Sequence, residues 1–466
     1  MLTRLRFRNF KAWPDSGDIR LAPLTVLFGT NSAGKTSIPQ LLLMMKQTAA
    51  SPDRQRVLQL GDSRSLVELG GYDDIVHRRD VTRQLEIQLD WTTAEALHVQ
   101  NPVTGDRYSG DRVRFRVDIL GDKRHQPVVQ SLRYELAGDA GLALDIEMRR
   151  ARGGRTFELQ SERYPLVRHA GRAAALPAPL RFYGFPDEAT AYFQNTAFAS
   201  DLVLALEKQL RGIYYVGPLR DSPSRLYVWS GESPEHVGSK GEKAIEAILA
   251  GQERMFAVRP GEKKKSLPEI VAGRLRAMGL IRDFRVSPLG KGRKEYEVLV
   301  KTGPQMPDVK LTDVGFGVSQ VLPVVLECFY VPPRSVVIFE QPEIHLHPRV
   351  QAELADLFVD AVRAREDGEP RRCQFIVESH SEHFLRRLQR RIAEEEISAE
   401  DTALYFVHTE RGHARLETLD LDTFGNIRNW PPGFFGDEMD DLVARTKAQA
   451  KRTTRTAGTT RTETGR

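Results

Sequence analysis

Eight residues near the N-terminus carry the most specific chemistry in this chain. Gly29-Thr30-Asn31-Ser32-Ala33-Gly34-Lys35-Thr36 spells G-x-x-x-x-G-K-T, and Ser37 follows directly. Glycines at the two ends let the backbone curl so that successive N–H groups point inward at an anion. A helix N-terminus behind the loop adds partial positive charge. Lys35 is then placed to reach the outer phosphates of a nucleotide, and the Thr36 hydroxyl to ligate Mg²⁺. The other chemistry-bearing residues sit at the ends of two apolar runs far down the chain. Ser335-Val336-Val337-Ile338-Phe339 runs into Glu340-Gln341-Pro342-Glu343, and Gln374-Phe375-Ile376-Val377 runs into Glu378-Ser379-His380-Ser381. Glu340 is an acid suited to hold Mg²⁺ with Thr36. Gln341 and Glu343 are the candidates to orient or deprotonate an attacking water, with Glu378 as a helper, and His380 is a candidate sensor of the terminal phosphate.

These residues need an open sheet whose strands end together, with helices between them. Leu24–Phe28 is a short β-prone run before the loop, and residues 37–49 have helical spacing after it. Residues 315–331 begin glycine-rich and become an apolar helix. Helices are predicted over 351–365 and 382–395 after the two later strands. Strand–helix alternation of this kind predicts an α/β core with its active edge at the carboxyl ends of the strands. Between about 82 and 160 the pattern changes to apolar–polar alternation in four segments (84–89, 113–117, 132–136 and 144–148), as in an antiparallel sheet with one wet face. Residues 161–185 read as connections. Residues 195–211, 241–251 and 267–279 read as helices, and 213–216 and 296–300 as strands. The predicted organisation is an N-terminal lobe over 1–165, a mixed, mainly helical subdomain over 166–310, a C-terminal lobe over 311–445 and a disordered basic tail over 446–466.

The net charge of +5 does not describe the body of the protein. Residues 445–466 hold seven bases and one acid, a net +6, so the remainder is one charge negative. A tail of that kind could touch phosphates without sequence preference or serve only to solubilise. No run of about 18 apolar residues is present, the N-terminus lacks an apolar signal core, and Cys328 and Cys373 have no metal-ligand spacing. These features predict a cytoplasmic protein that makes no use of a membrane.

The order of motifs resembles the nucleotide-binding head of ABC-type ATPases, in the branch that contains SMC proteins and the ATPase domain of OLD-type nucleases. The opening residues 2–11 are similar to that branch's first strand, and Asn31 and Ser32 fit its loop. Gly315-Phe316-Gly317-Val318-Ser319-Gln320 stands where the ABC signature stands. Residues 340–348 resemble the E-E-P-E-x-x-L-H-P form of OLD-like ATPases, and 377–381 the switch-histidine strand. Residues 419–437 resemble the end of a bacterial subgroup of undefined function. The resemblance implies a P-loop NTPase fold of the ABC-head type, with an antiparallel β-subdomain and a helical insertion between loop and signature. It implies ATP and Mg²⁺ as cofactors. It further implies head-to-tail self-dimers, in which Gly315, Gly317, Ser319 and Gln320 of one copy face the nucleotide on the loop of another. A separate effector protein and DNA are further candidate partners, in genome maintenance or anti-phage defence. Competing readings are a nucleic-acid processing enzyme and an ATP-stabilised scaffold. Two departures stand out. Gln341 occupies the position where the family usually has its catalytic glutamate, which implies slow hydrolysis. The chain after His380 is too short for the metal-binding nuclease domain of OLD proteins, so Asp420, Asp422, Asp437, Asp440 and Asp441 read as solvated loop acids.

Overall fold

The computed structural model describes residues 1–172, 175–259, 261–290, 292–431, 434 and 446–449. Almost all of the basic tail, and Asp437, Asp440 and Asp441, lie outside the described residues. In chain order the main elements begin with β1 (Leu2–Phe10), β2 (Leu24–Gly29) and α1 (Ser37–Ala50). Long strands follow: β3 (Leu85–Gln100), β4 (Arg107–Gly121), β5 (Pro127–Gly138), β6 (Gly141–Arg150) and β7 (Phe157–Gln160). Next come α2 (Phe198–Arg211), β8 (Ile213–Val216), α3 (Ala244–Ala250), α4 (Leu267–Ala277), β9 (Asp283–Pro288) and β10 (Glu295–Lys301). The C-terminal part holds α5 (Phe316–Tyr330), β11 (Val336–Glu340), α6 (Pro348–Arg363), β12 (Gln374–Glu378), α7 (Glu382–Ala393), β13 (Thr402–Glu410) and β14 (His413–Thr418).

Two large sheets organise these elements. The central one has six strands in the order β8-β11-β12-β2-β13-β14, parallel except for the closing β13–β14 pair. The other has eight strands, is antiparallel, and runs from β1 through β3, β4, β5 and β6 to β7, with two short strands beside β1. The first strand therefore belongs to the antiparallel sheet and does not lie beside the loop strand. The four alternating segments extend into long ribbons, and β9, which alternation did not reveal, pairs with β10 in a small third sheet. The segment 166–310 is mixed: it carries α2, α3 and α4, all of the small sheet, and β8, which joins the central sheet at its edge. The whole is an α/β fold, a mainly parallel central sheet with an antiparallel β-subdomain.

Strand periodicity divides the apolar residues between two cores. On one face Leu27, Val336, Ile338, Ile376, Tyr405 and Val407 meet α1, α2 and the antiparallel sheet. On the other, Leu24, Val26, Val337, Phe339, Phe375, Val377 and Leu404 meet α3 to α7. A parallel sheet covered on both faces needs continuous apolar strands, and these strands are of that kind. Helix α1 lies between the two sheets, which explains why it is apolar nearly all round. Gln374, fully buried at the start of β12, ties the sheets together. Its amide donates to Leu2 O and Ala22 O, both at 2.9 Å, and its Oε1 accepts from Leu2 N at 3.1 Å. Gln374→Ala leaves three backbone groups without that partner, so a loss of about 2–4 kcal/mol is expected in denaturant unfolding. An effect under about 0.5 kcal/mol would show that the two sheets hold together without it.

Helix α5 also buries a carboxyl. Glu327 Oε2 accepts from Val237 N at 3.0 Å, while Oε1 has no hydrogen-bond partner among the described residues. Burial pushes its pKa up to about 8, against the opposing pull of the Val237 N–H and Lys46. The folded chain thus holds a proton that the unfolded chain releases at ordinary carboxyl pKa. That contribution to stability is complete at acid pH and is lost as pH rises through about 8. Glu327→Gln should flatten this part of the profile, raising the melting temperature at pH 9 relative to the native chain while changing it little at pH 5. Identical pH profiles would refute the assignment.

Candidate functional site

The carboxyl ends of β8, β11, β12 and β2 bring the candidate residues to one edge. The loop leaves β2 with Gly29 at φ 145°, Ser32 at 60° and Gly34 at 100°. A Cβ on Gly29 would lie 1.9 Å from Val407 O of β13. Glycine is therefore required by close approach as well as by φ. The Gly34 carbonyl accepts from Trp13 Nε1 at 3.0 Å, which pins the loop to the antiparallel sheet. Thr30, Asn31 and Ser32 are exposed, Ala33 is buried, and Ser37 is buried at the start of α1. Lys35 is 3% exposed, and its Nζ donates to Gly29 O (3.1 Å) and Thr30 O (2.8 Å). Burial lowers its pKa, and the charges of Glu378 and Glu343 oppose that shift.

The Thr36 hydroxyl donates to Glu378, at 3.0 Å to Oε2 and 3.2 Å to Oε1. This contact follows from the strand order. β12 lies between β2 and β11, in a register that pairs Glu378 with Leu27 on one side and with Glu340 on the other. Glu378 is thus the acid next to the loop, and Glu340 is one strand further out. Sequence reasoning named Glu378 only as a helper; the strand order, which no motif spacing encodes, makes it the partner of Thr36. Burial raises the pKa of Glu340 to about 7, with Glu378 as the next cause and a hydrogen bond from Tyr215 in opposition. Burial likewise raises Glu378, against Lys35 and Thr36. Thr36, Glu378 and Glu340 form a set of hard oxygen donors, the chemistry that Mg²⁺ prefers, and the glycine curl leaves room for backbone to approach phosphate.

Gln341 turns the chain out of the sheet at φ 43°, and its N–H donates to Glu378 O at 2.9 Å. A non-glycine residue in that region is strained, a condition that clusters at functional sites. Glu343 is 7% exposed and accepts from the His380 backbone N–H at 2.6 Å. It therefore braces the exit from β12. Burial raises its pKa. His380 is half-buried, and burial together with the charge of Lys35 lowers its pKa to about 4, so the imidazole is neutral at physiological pH. Lys35, Thr36, Glu340, Gln341, Glu343, Glu378 and His380 thus gather at one edge.

The candidate signature residues make no hydrogen bond to this edge among the described residues. Gly315 is exposed and precedes α5, Gly317 lies in its first turn, and Phe316 packs its ring against His345 at 5.7 Å. The Ser319 hydroxyl donates back to Phe316 O at 2.8 Å, and the buried Gln320 Nε2 has no partner among the described residues. Among the described residues, no hydrogen bond or ion pair joins 315–320 to 29–36. Arg220 and Tyr215, at the end of β8, were missed by sequence reasoning. Their signal was available, since Ile213–Val216 is an apolar run that ends in a turn and a charged residue, as β11 and β12 do.

Comparisons with known proteins agree with parts of this picture. Residues 306–386 match the family described as "AAA domain, putative AbiEii toxin, Type IV TA system". That span holds the signature segment, the Glu340 strand and the Glu378–His380 strand. Residues 397–444 match a protein family of unknown function, DUF3696, consistent with the undefined C-terminal subgroup. No curated protein matches the chain. Among solved structures the chain is similar, at 10% identity, to an SMC head bound to the C-winged helix domain of ScpA, with TM-score 0.43, 91% of this chain and 98% of that chain covered. The SMC head domain from Thermotoga maritima aligns at 10% identity with TM-score 0.40, covering 90% and 99% of the two chains. Among the described residues, no helix is long and apolar enough to cross a membrane.

The tightest geometric demand at the site falls on Gly29. Gly29→Ala should destabilise the chain by about 2–4 kcal/mol, through both the contact with Val407 and the left-handed φ. A melting temperature equal to that of the native chain would show that the loop relaxes freely.

Proposed function

We propose that the chain is an ATP-binding switch of the ABC/SMC-like class that hydrolyses ATP slowly. The observation that carries this reading is the convergence of Lys35, Thr36, Glu378, Glu340, Glu343 and His380 on one edge of a parallel sheet. In this reading the loop N–H groups and the Lys35 ammonium bind the phosphates. Thr36, with Glu340 and Glu378, would hold Mg²⁺, which when bound supplies neutralisation of charge on the outer phosphates. Gln341 orients water but is a poor base. Glu343, which holds the His380 backbone, acts more by positioning the switch residue than by taking a proton.

Gly315, Gly317, Ser319 and Gln320 complete the site from a second copy of the chain. Support comes from the absence of any hydrogen bond between them and the loop, and of a partner for Gln320 Nε2, among the described residues. A nucleotide held between two copies acts as reversible glue, with hydrolysis as release. The family description over 306–386, which names a toxin of a toxin–antitoxin system, favours a role in defence beside a separate effector protein, on or near DNA, over a lone nucleic-acid processing enzyme or a passive scaffold. The motif order favours a cytoplasmic protein.

Two variants test this reading. Lys35→Ala should abolish ATP binding with little change in folding. Native turnover should fall well below the ~10 s⁻¹ typical of enzymes, and Gln341→Glu should raise it at least tenfold. Native turnover already near that typical rate would sink the slow-switch reading, and intact ATP binding by Lys35→Ala would sink the assignment of the loop.

A further inference from the structure

Arg220 is a charged side chain at this edge that the proposed chemistry leaves unused. It follows β8 after Gly217-Pro218-Leu219 and is 7% exposed. Among the described residues its single hydrogen bond is long, from Nη2 to the Glu340 carbonyl at 3.4 Å. Nε and Nη1 have no partner among the described residues. The charge that acts on it most is that of Glu343, whose Oε2 is also without a hydrogen-bond partner there. Burial lowers the guanidinium pKa only to about 10, so the group stays cationic at neutral pH. A buried cation with two idle donor nitrogens is costly. Its turn is nonetheless held firmly: Gly217 N donates to Ser239 O at 2.8 Å and Asp221 N to Lys240 O at 3.0 Å.

The strand order says what such a cation can reach. β8 and β2 are the first and fourth strands of the central sheet, about 14 Å apart at the usual strand spacing. Lys35 follows β2 and Arg220 follows β8, and the charge of Glu343, which follows the intervening β11, acts on both. In the nucleotide reading Lys35 and the loop amides hold the phosphates next to β2. A terminal phosphate extending from them toward β8 would meet the chain where Arg220 stands. A planar guanidinium presents a fork of donors that matches phosphate oxygens.

We propose that Arg220 binds the terminal phosphate of the nucleotide, opposite Lys35, and so makes the site select triphosphate over diphosphate. This inference rests on the nucleotide reading above. It adds a determinant of specificity from the same chain, and the orphaned nitrogens are explained as donors waiting for that ligand.

The test is equilibrium binding of ATP and of ADP, each with Mg²⁺, to the full chain and to Arg220→Gln and Arg220→Lys, with melting temperatures measured without nucleotide. The native chain should prefer ATP by at least tenfold. Arg220→Gln should lose that preference, with ATP affinity down 10- to 100-fold and ADP affinity within about twofold, and Arg220→Lys should recover part of it. The nucleotide-free melting temperature should hold or rise, because an unpaired buried charge is removed. An unchanged ATP:ADP ratio in Arg220→Gln overturns the proposal. So does equal weakening of both nucleotides together with a lower melting temperature, which marks a structural arginine. A native chain that binds both nucleotides equally overturns this inference alone, whereas one that binds neither overturns the nucleotide reading as well.

Discussion

Burial of charge at the carboxyl edge of a parallel sheet is the constraint on which the rest of this structure depends. Glu340, Glu343 and Glu378 are all within 8% exposure, beside the buried cations Lys35 and Arg220. Isolated, each would cost several kcal/mol to remove from water. Each carboxylate instead has a named counterweight: Thr36 and Lys35 for Glu378, the His380 N–H for Glu343, and Tyr215 for Glu340. The compensation is incomplete. All three carboxyls are pushed upward in pKa by burial, Lys35 and Arg220 are pushed downward, and atoms of Glu343 and Arg220 have no hydrogen-bond partner among the described residues.

Such an arrangement persists only if the backbone cannot relax around it. Two hydrophobic cores, one on each face of the central sheet, supply that rigidity, with strand residues assigned alternately to each. The antiparallel sheet is more than an appendage. It covers α1, pins the loop through Trp13, and holds β12 through Gln374. The strand that places Glu378 against Thr36 is therefore locked at its start to a sheet formed by residues 1–160. Interior packing is stiff enough to transmit that placement over the length of a strand.

The separation of signature from loop has a physical reading in the same terms. Residues 315–320 cap a helix whose buried face belongs to the second core, so their position is set by packing below them and not by the loop. Ser319 meanwhile spends its hydrogen bond locally on Phe316. One chain thus presents an edge of loop, lysine and buried acids, and a helix start that makes no hydrogen bond to that loop among the described residues. Gln341 fits the same division, because its strained turn is fixed by a backbone hydrogen bond to Glu378 rather than by any group it would act on.

The sequence by itself located the candidate residues and most of the elements. A glycine loop between an apolar strand and a helix, and acids or a histidine at the ends of apolar strands, are local patterns, because phosphate binding by backbone amides and the burial of parallel strands both act over a few residues. Those patterns also located β11 and β12 and most of the helices, with ends shifted by a few residues. Only the tertiary structure decided which acid meets Thr36, that β1 belongs to the antiparallel sheet, that β8 closes the edge of the central sheet, and that Arg220 and Tyr215 enter the site. Strand order is fixed by contacts between residues hundreds of positions apart, Gln374 with Leu2 and Glu378 with Thr36 among them, and no local pattern carries that information.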